Sequence, residues 1–338
     1  MNQRNIKIFK PKEPEHLNLE NILNFIYPKI KSLESQILKN VNSDQPLLNK
    51  ISEHILNSKA KRLRPTLVVL GAEMFNGANE NVMIAAQVIE YLHTATLLHD
   101  DVVDGAETRR QKKTVSKIWG NEASVISGDF LLAIAFHTLT KFRNLEVMNL
   151  ISDTTTKMAK AELLQLMRPF KKINEKEYLE IVINKTASLF AAAIKTGAIL
   201  AGADKKSAKQ LYDYGMKLGI AFQITDDALD YTDEEKIGKP VGGDLKERKI
   251  TLPLSHLIKT ANNADKKRLN SILALEKIEK SHVKEVINLM NKYDAINYSL
   301  NVSKEYVSKA KKIIYDLPPT SLKETLNQIA DYIVNRKL

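Results

Sequence analysis

Asp100-Asp101-Val102-Val103-Asp104 and Asp226-Asp227-Ala228-Leu229-Asp230 repeat one acidic spacing, i, i+1, i+4. On a helix this spacing stacks the first and last carboxylates one turn apart on one face, with the middle one about 100° round. Each motif follows an apolar stretch, Ala95 to Leu98 in the first case and Ile220 to Ile224 in the second. Both sets of carboxylates therefore fall at the C-terminal end of an apolar helix. There they repel one another and oppose the helix dipole, each effect costing roughly some tenths of a kcal/mol or more. Something positive must compensate. Carboxylate oxygens with room for water and phosphate suit Mg²⁺, which is held by few protein carboxylates together with substrate phosphates. One acidic cluster is an ordinary solvated helix end, whereas two of the same spacing, each closing an apolar helix, point to metal-assisted chemistry.

A metal bridging carboxylate to diphosphate calls for Lys and Arg on the remaining phosphate oxygens. Arg109 and Arg110 follow the first motif, and Lys239 follows the second in a Gly-rich stretch, residues 237–243. Lys185 and Thr186 lie mid-helix among small residues, and Lys61-Arg62-Leu63-Arg64-Pro65 sits upstream, just before a helix. His93 precedes Asp100 by two helical turns on the same face. Taken singly, these are surface pairs, a core histidine and a loop lysine. Together they outline two anion sites, one bound through metal and one held by Lys and Arg.

The elements that position these groups are helices. Apolar stripes at helical spacing run through residues 18–38, 82–103, 125–142, 148–167, 178–200, 208–231 and most of 283–333. Breaks fall at Asn76-Gly77, Gly105, Gly120-Asn121, Gly202, 238–243 and Pro318-Pro319. No alternating run is long enough to build a sheet. The expected architecture is all-α, a single domain of ten or more helices over residues 15–338, after a loosely ordered tail at 1–14.

Composition narrows the class. A 338-residue chain with 43% hydrophobic and 27% charged residues supports a sizeable core. No apolar run is expected to reach the roughly 18 residues of a spanning helix, because Glu90, His93 and Lys195 interrupt the best candidates. The polar N-terminus does not read as a secretory signal. The absence of cysteine excludes disulfides and thiolate chemistry and fits a reducing cytoplasm. The net charge of +11 is scattered rather than laid along one helix face, so no nucleic-acid partner is expected.

In order, Lys61-Arg62-Leu63-Arg64-Pro65, Leu92-His93 through Asp104, Arg109-Arg110, Gly128-Asp129-Phe130-Leu131, Lys185-Thr186-Ala187, Phe222-Gln223 through Asp230 and Gly238-Lys239-Pro240 resemble the trans-polyprenyl diphosphate synthases. The likeness is strongest over residues 59–253 and closest to the bacterial long-chain, octaprenyl-type branch that makes quinone side chains. It implies a homodimeric isoprenoid-synthase fold with a central cavity and three Mg²⁺ ions. Asp100, Asp101 and Asp104 would take two ions, and Asp226, supported by Asp227 and Asp230, the third. Arg109, Lys185, Lys239 and Lys249 would contact the allylic diphosphate, with farnesyl diphosphate as the expected starter. Lys61, Arg64, His93 and Arg110 would hold isopentenyl diphosphate. Thr186 and Gln223 match positions beside the reacting carbons, and Glu162 and Gln165 match a cavity-lining helix. Ala95 and Thr96, small residues below the first motif, imply a long product, with Phe136 a candidate for the cavity floor. Product release implies a transient contact with a membrane surface. Two departures stand out: Lys59-Ala60 replaces Gly-Gly, and Arg248 replaces a glycine beside Lys249, which puts the role of Lys249 at issue.

The implied reaction is ionisation of the allylic diphosphate, attack by the double bond of isopentenyl diphosphate, and loss of a proton that the released diphosphate can take. A closing Gly-rich loop would exclude water. A shorter-chain synthase is the nearest alternative. A terpene cyclase would carry a different second motif and no isopentenyl site. A non-catalytic partner subunit would lose the metal motifs.

Overall fold

The computed structural model describes residues 24, 26–56, 61–110, 112–167, 174–232, 241–317, 320 and 322–335. Lys239, Lys59, Ala60 and the tail at 1–14 lie outside the described residues. The described chain is helical almost throughout. In order come α1 (Tyr27–Asn40), α2 (Pro46–Leu56), α3 (Leu63–Glu73), α4 (Glu80–Val103), α5 (Val115–Trp119), α6 (Asn121–Thr140), α7 (Leu145–Leu166) and α8 (Glu175–Val182). A π turn (Ile183–Ala187) leads into α9 (Ser188–Leu200), followed by α10 (Lys205–Leu229), α11 (Gly243–Lys246), α12 (Leu252–Thr260), α13 (Asn263–Leu273), α14 (Lys280–Lys292), α15 (Ala295–Tyr315) and α16 (Leu322–Asn335). The strand content among the described residues is a two-residue antiparallel hairpin, β1 (Thr108–Arg109) with β2 (Lys112–Lys113).

Helix starts follow from side chains that satisfy the first free N–H groups. Asn79, Asn144, Asp204 and Asn262 accept such bonds at the heads of α4, α7, α10 and α13, and Asn174 with Glu177 forms a capping box on α8. The breaks expected at Gly77, Gly105, Gly120 and Gly202 all fall at positive φ.

The buried side chains form two clusters. The larger joins α1 to α7 with α9, α15 and α16, and the smaller runs from Tyr178 on α8 to Ala295 on α15. Helix α10 serves both: Leu211, Tyr214 and Leu218 enter the first, Ile220 and Ile224 the second. α3 crosses α9 so closely that a Cβ on Gly71 would lie 2.1 Å from the Ile194 carbonyl oxygen, and one on Gly197 1.8 Å from that of Val68. This contact fixes α9, and through the π turn it fixes Lys185 and Thr186.

One expectation is corrected. α6 has 20 residues and a mean hydropathy of 1.4 over its best window, so by length and composition it is long and apolar enough to cross a membrane. Asp129 and His137, with several Ser, Gly and Thr residues, interrupt its apolar letters, which hides the run from a reading of hydrophobic blocks while the average stays high. In the fold α6 lies along α4, donating from the Ser124 hydroxyl to the Leu98 carbonyl, while Val125 and Ile126 remain exposed.

Candidate active site

Both aspartate motifs end long helices. Asp104 follows the last residue of α4 and Asp230 the last residue of α10. Asp101 is buried and accepts from Arg109 Nε at 2.6 Å, so the arginine on β1 supplies the expected compensating charge. Lys249 Nζ donates to Asp104 at 2.8 Å and to Glu247 at 2.7 Å. Burial alone would lower the Lys249 pKa, but the charges of Glu247 and Asp104 outweigh it and hold the ammonium above its ordinary range.

Asp100 is half-buried. Burial raises its carboxyl to about 6; Glu162 and Asp104 add to the rise, while Lys185 and Lys249 oppose it. Lys185 is paired with Glu162 and donates to Gln165 at 3.1 Å, which brings those two α7 residues beside the first motif's basic partner.

The second motif is wired differently. Thr186 donates to the Gln223 carbonyl oxygen at 2.8 Å, Gln223 Nε2 donates to Asp227 at 2.7 Å, and Tyr178 donates to the other Asp227 oxygen at 2.6 Å. Burial still pushes Asp227 up to about 7 despite these donors. Asp230 accepts from the backbone N–H groups of Gly243 and Asp244 at 3.2 and 3.0 Å, so the segment after the second motif folds back onto it.

That segment carries the departure at Arg248. α11 ends in two backbone bonds, Lys249 N–H to the Asp244 carbonyl and Arg248 N–H to the Leu245 carbonyl, at 2.9 and 3.2 Å. This is a Schellman turn, whose left-handed position favours glycine. Arg248 occupies it at φ +61°, at a cost of roughly 1–2 kcal/mol for a residue with a Cβ. The turn survives the substitution, and Lys249 still reaches the first motif.

A separate basic cluster surrounds His93. Arg64 Nη1 lies 3.0 Å from His93 Nε2, and its guanidinium stacks 4.8 Å from the Phe190 ring centre. Burial first, and then the charges of Arg64, Arg110, Arg109 and Arg62, hold His93 well below the ordinary histidine value. The ring is therefore neutral at pH 7 and accepts from Arg64. Lys61 is exposed, with its ammonium 5.5 Å from the Tyr332 ring of α16. Arg62 belongs elsewhere: at φ +46° it turns inward to pair with the buried Glu90 and with Glu34. The upstream run thus divides into an internal anchor and flanking cations.

Of the residues expected to bear on chain length, Ala95 is fully buried and Thr96 half-buried, its hydroxyl on the His93 carbonyl at 2.8 Å. Phe136 packs half-buried against the larger core. Tyr178 and Asp244 were not anticipated. Asp244 is held well above the carboxylate range by desolvation first and then by Asp227 and Asp230. Its place directly after Gly242-Gly243, at the head of the segment that ends in Arg248-Lys249, was the available signal.

The donor set fits a hard divalent cation: all six motif side chains are carboxylates, and burial leaves Asp100 and Asp227 short of positive charge. Among the described residues no three acidic or histidine side chains converge on one point. A cation here would need oxygens from a phosphorylated ligand, as Mg²⁺ sites commonly do.

The polyprenyl synthetase family model matches residues 45–290. The octaprenyl diphosphate synthase of Escherichia coli (strain K12) is 38% identical and covers 95% of this chain and 99% of its own. That of Haemophilus influenzae is 35% identical, over 96% and 99%. A polyprenyl synthase from Caulobacter crescentus, solved with calcium and isoprenyl diphosphate, superposes with a TM-score of 0.90 at 33% identity, covering 96% of this chain and all of that one. The helical fold and its paired acidic motifs define an all-α isoprenoid synthase. The chain belongs to the polyprenyl synthetase family, and it is a prenyltransferase.

Proposed function

We propose that this enzyme condenses isopentenyl diphosphate with an allylic diphosphate, farnesyl diphosphate as starter, to make a long-chain polyprenyl diphosphate for a quinone side chain. The carrying observation is the division of the site: carboxylates paired with Arg109, Lys185 and Lys249 on one side, and the Arg64–His93 cluster on the other. In this reading Asp100, Asp101 and Asp104 would hold two Mg²⁺ ions, and Asp226, supported by Asp227 and Asp230, would hold a third. Bound Mg²⁺ would stabilise negative charge on the departing diphosphate.

The chain's own groups do the rest. Arg109, Lys185, Lys239 and Lys249 bind the allylic diphosphate, and Lys61, Arg64, His93 and Arg110 bind isopentenyl diphosphate. Neutral His93 is suited to orient Arg64 rather than to remove a proton. Thr186 and Gln223 present oxygen atoms where positive charge develops on carbon. A homodimer through the face of α6 that carries Val125 and Ile126 fits their exposure, and the cysteine-free chain fits a cytoplasmic enzyme that meets a membrane surface at product release. Incubating the protein with labelled isopentenyl diphosphate, farnesyl diphosphate and Mg²⁺ and sizing the products tests the reading. Products well beyond geranylgeranyl length are expected, and products no longer than the starter would refute it.

A further inference from the structure

We infer that Arg248 is a positioning residue that holds Lys249 on the first aspartate motif, an inference that rests on the proposed role of Lys249 at the allylic diphosphate. The two side chains leave adjacent positions for different targets. Lys249 reaches Asp104 on α4, while the Arg248 guanidinium donates to the carbonyls of Leu275 at 2.9 Å and Leu273 at 3.3 Å, at the end of α13. The Leu273 carbonyl is the last of α13, where a helix leaves its carbonyls unpaired and carries partial negative charge, and Leu275 lies two residues beyond it, so a cation is well placed there.

The turn between the two side chains is short and fully bonded. It is tied to the second motif through the Gly243 and Asp244 N–H groups on Asp230, and its last amide, that of Lys249, returns to the Asp244 carbonyl. A residue with a Cβ is retained at φ +61°, where glycine is at ease. What the side chain adds is an anchor to α13. With Asp230 fixing one end of the turn and α13 fixing the other, the Lys249 ammonium is held between Glu247 and Asp104. These two bonds of the Arg248 guanidinium run to α13 and the residues just after it, so Arg248 acts through its neighbour.

A double-mutant cycle with Arg248→Gly and Lys249→Ala tests this. Glycine keeps the turn, so Arg248→Gly removes the anchor without adding strain. We expect it to raise KM for the allylic diphosphate roughly fivefold, leaving kcat and KM for isopentenyl diphosphate within about twofold. In the Lys249→Ala background it should have no further effect, because residues acting in series are not additive. Arg248→Lys should recover part of the loss, since it returns a cation to the α13 carbonyls. Multiplying effects in the double variant, or an unchanged KM in Arg248→Gly, would overturn the inference. Amide hydrogen exchange over residues 246–249 gives a readout independent of turnover: at least about tenfold faster exchange in Arg248→Gly is expected, and unchanged exchange would also overturn it. Failure of the wild type to condense the two substrates would instead count against the proposed function.

Discussion

Thr186 and Gln223 are joined by a 2.8 Å hydrogen bond from the threonine hydroxyl to the glutamine carbonyl oxygen. The bond leaves the glutamine amide free to serve Asp227, so a residue on the π turn is linked to the buried member of the second motif through a single side chain. Gln223→Leu removes both bonds at once. A hydrogen bond to a charged group is worth about 1.5–3 kcal/mol, so kcat should fall roughly 10- to 100-fold with KM for isopentenyl diphosphate unchanged. A kcat within twofold of wild type in steady-state assays would mean that the linkage is only structural.

Metal dependence follows from the paired motifs. Asp100→Ala or Asp226→Ala should each reduce turnover by about 100-fold or more while circular dichroism shows an intact helical fold. EDTA should abolish activity and Mg²⁺ restore it. Full turnover in EDTA would exclude this mechanism.

Stability against pH reports on Asp100. Its carboxyl is raised from 3.8 to about 6, so the folded chain binds more protons than the unfolded chain between those values. Folding stability from this group is therefore present below pH 4 and is lost as pH rises toward 6. Asp100→Asn, which cannot ionise, should gain in Tm relative to wild type across that interval and hold a constant gain above it. Calorimetry in EDTA checks this, and a gain independent of pH would show that Asp100 ionises normally.

Separate substrate sites predict separate KM effects. Arg64→Ala should raise KM for isopentenyl diphosphate about tenfold or more, and Lys185→Ala and Lys239→Ala should do the same for the allylic substrate. Arg64→Lys should rescue only partly, since a lysine cannot both stack on Phe190 and meet His93 as a planar guanidinium does. Equal effects on both substrates from each variant would merge the two sites into one.

Chain length should respond to the residues below the first motif. Ala95→Phe is expected to shorten the product to farnesyl or geranylgeranyl length, with overpacking that costs about 1–3 kcal/mol because Ala95 is fully enclosed. Thr96→Phe, at a half-buried position, should shorten the product at lower cost. Phe136→Ala should lengthen it. An unchanged product ladder in all three would place the cavity elsewhere.

The acidic motifs were readable because their spacing is itself the geometry: residues at i and i+4 share a face wherever the helix goes. The glycine breaks were readable for a similar local reason. Arg62 was not separable from Lys61 and Arg64 by sequence, because its direction depends on a left-handed backbone that turns it toward Glu90. Lys249 could be suspected, yet its partner Asp104 is distant in sequence and meets it only through the fold of α11. Tyr178 gave no signal because a tyrosine on an apolar stripe looks like core until the helix opposite is known.

The π turn at Ile183–Ala187 has a consequence for how the enzyme can vary. Its closing bond runs from the Ser188 N–H to the Ile183 carbonyl, one residue wider than an α turn. α8 and α9 are thus out of phase by about 100°, the angle of one inserted residue. Removing any one of those five residues would allow an uninterrupted α-helix, with better local bonding than the present one. It would also rotate the functional side chains against a downstream half that is locked to α3 at Gly197. The placement of Lys185 and Thr186 therefore depends on a count of residues as much as on their identity. Point substitution cannot change that count, so single-residue deletion is the perturbation to which this part of the site is most sensitive.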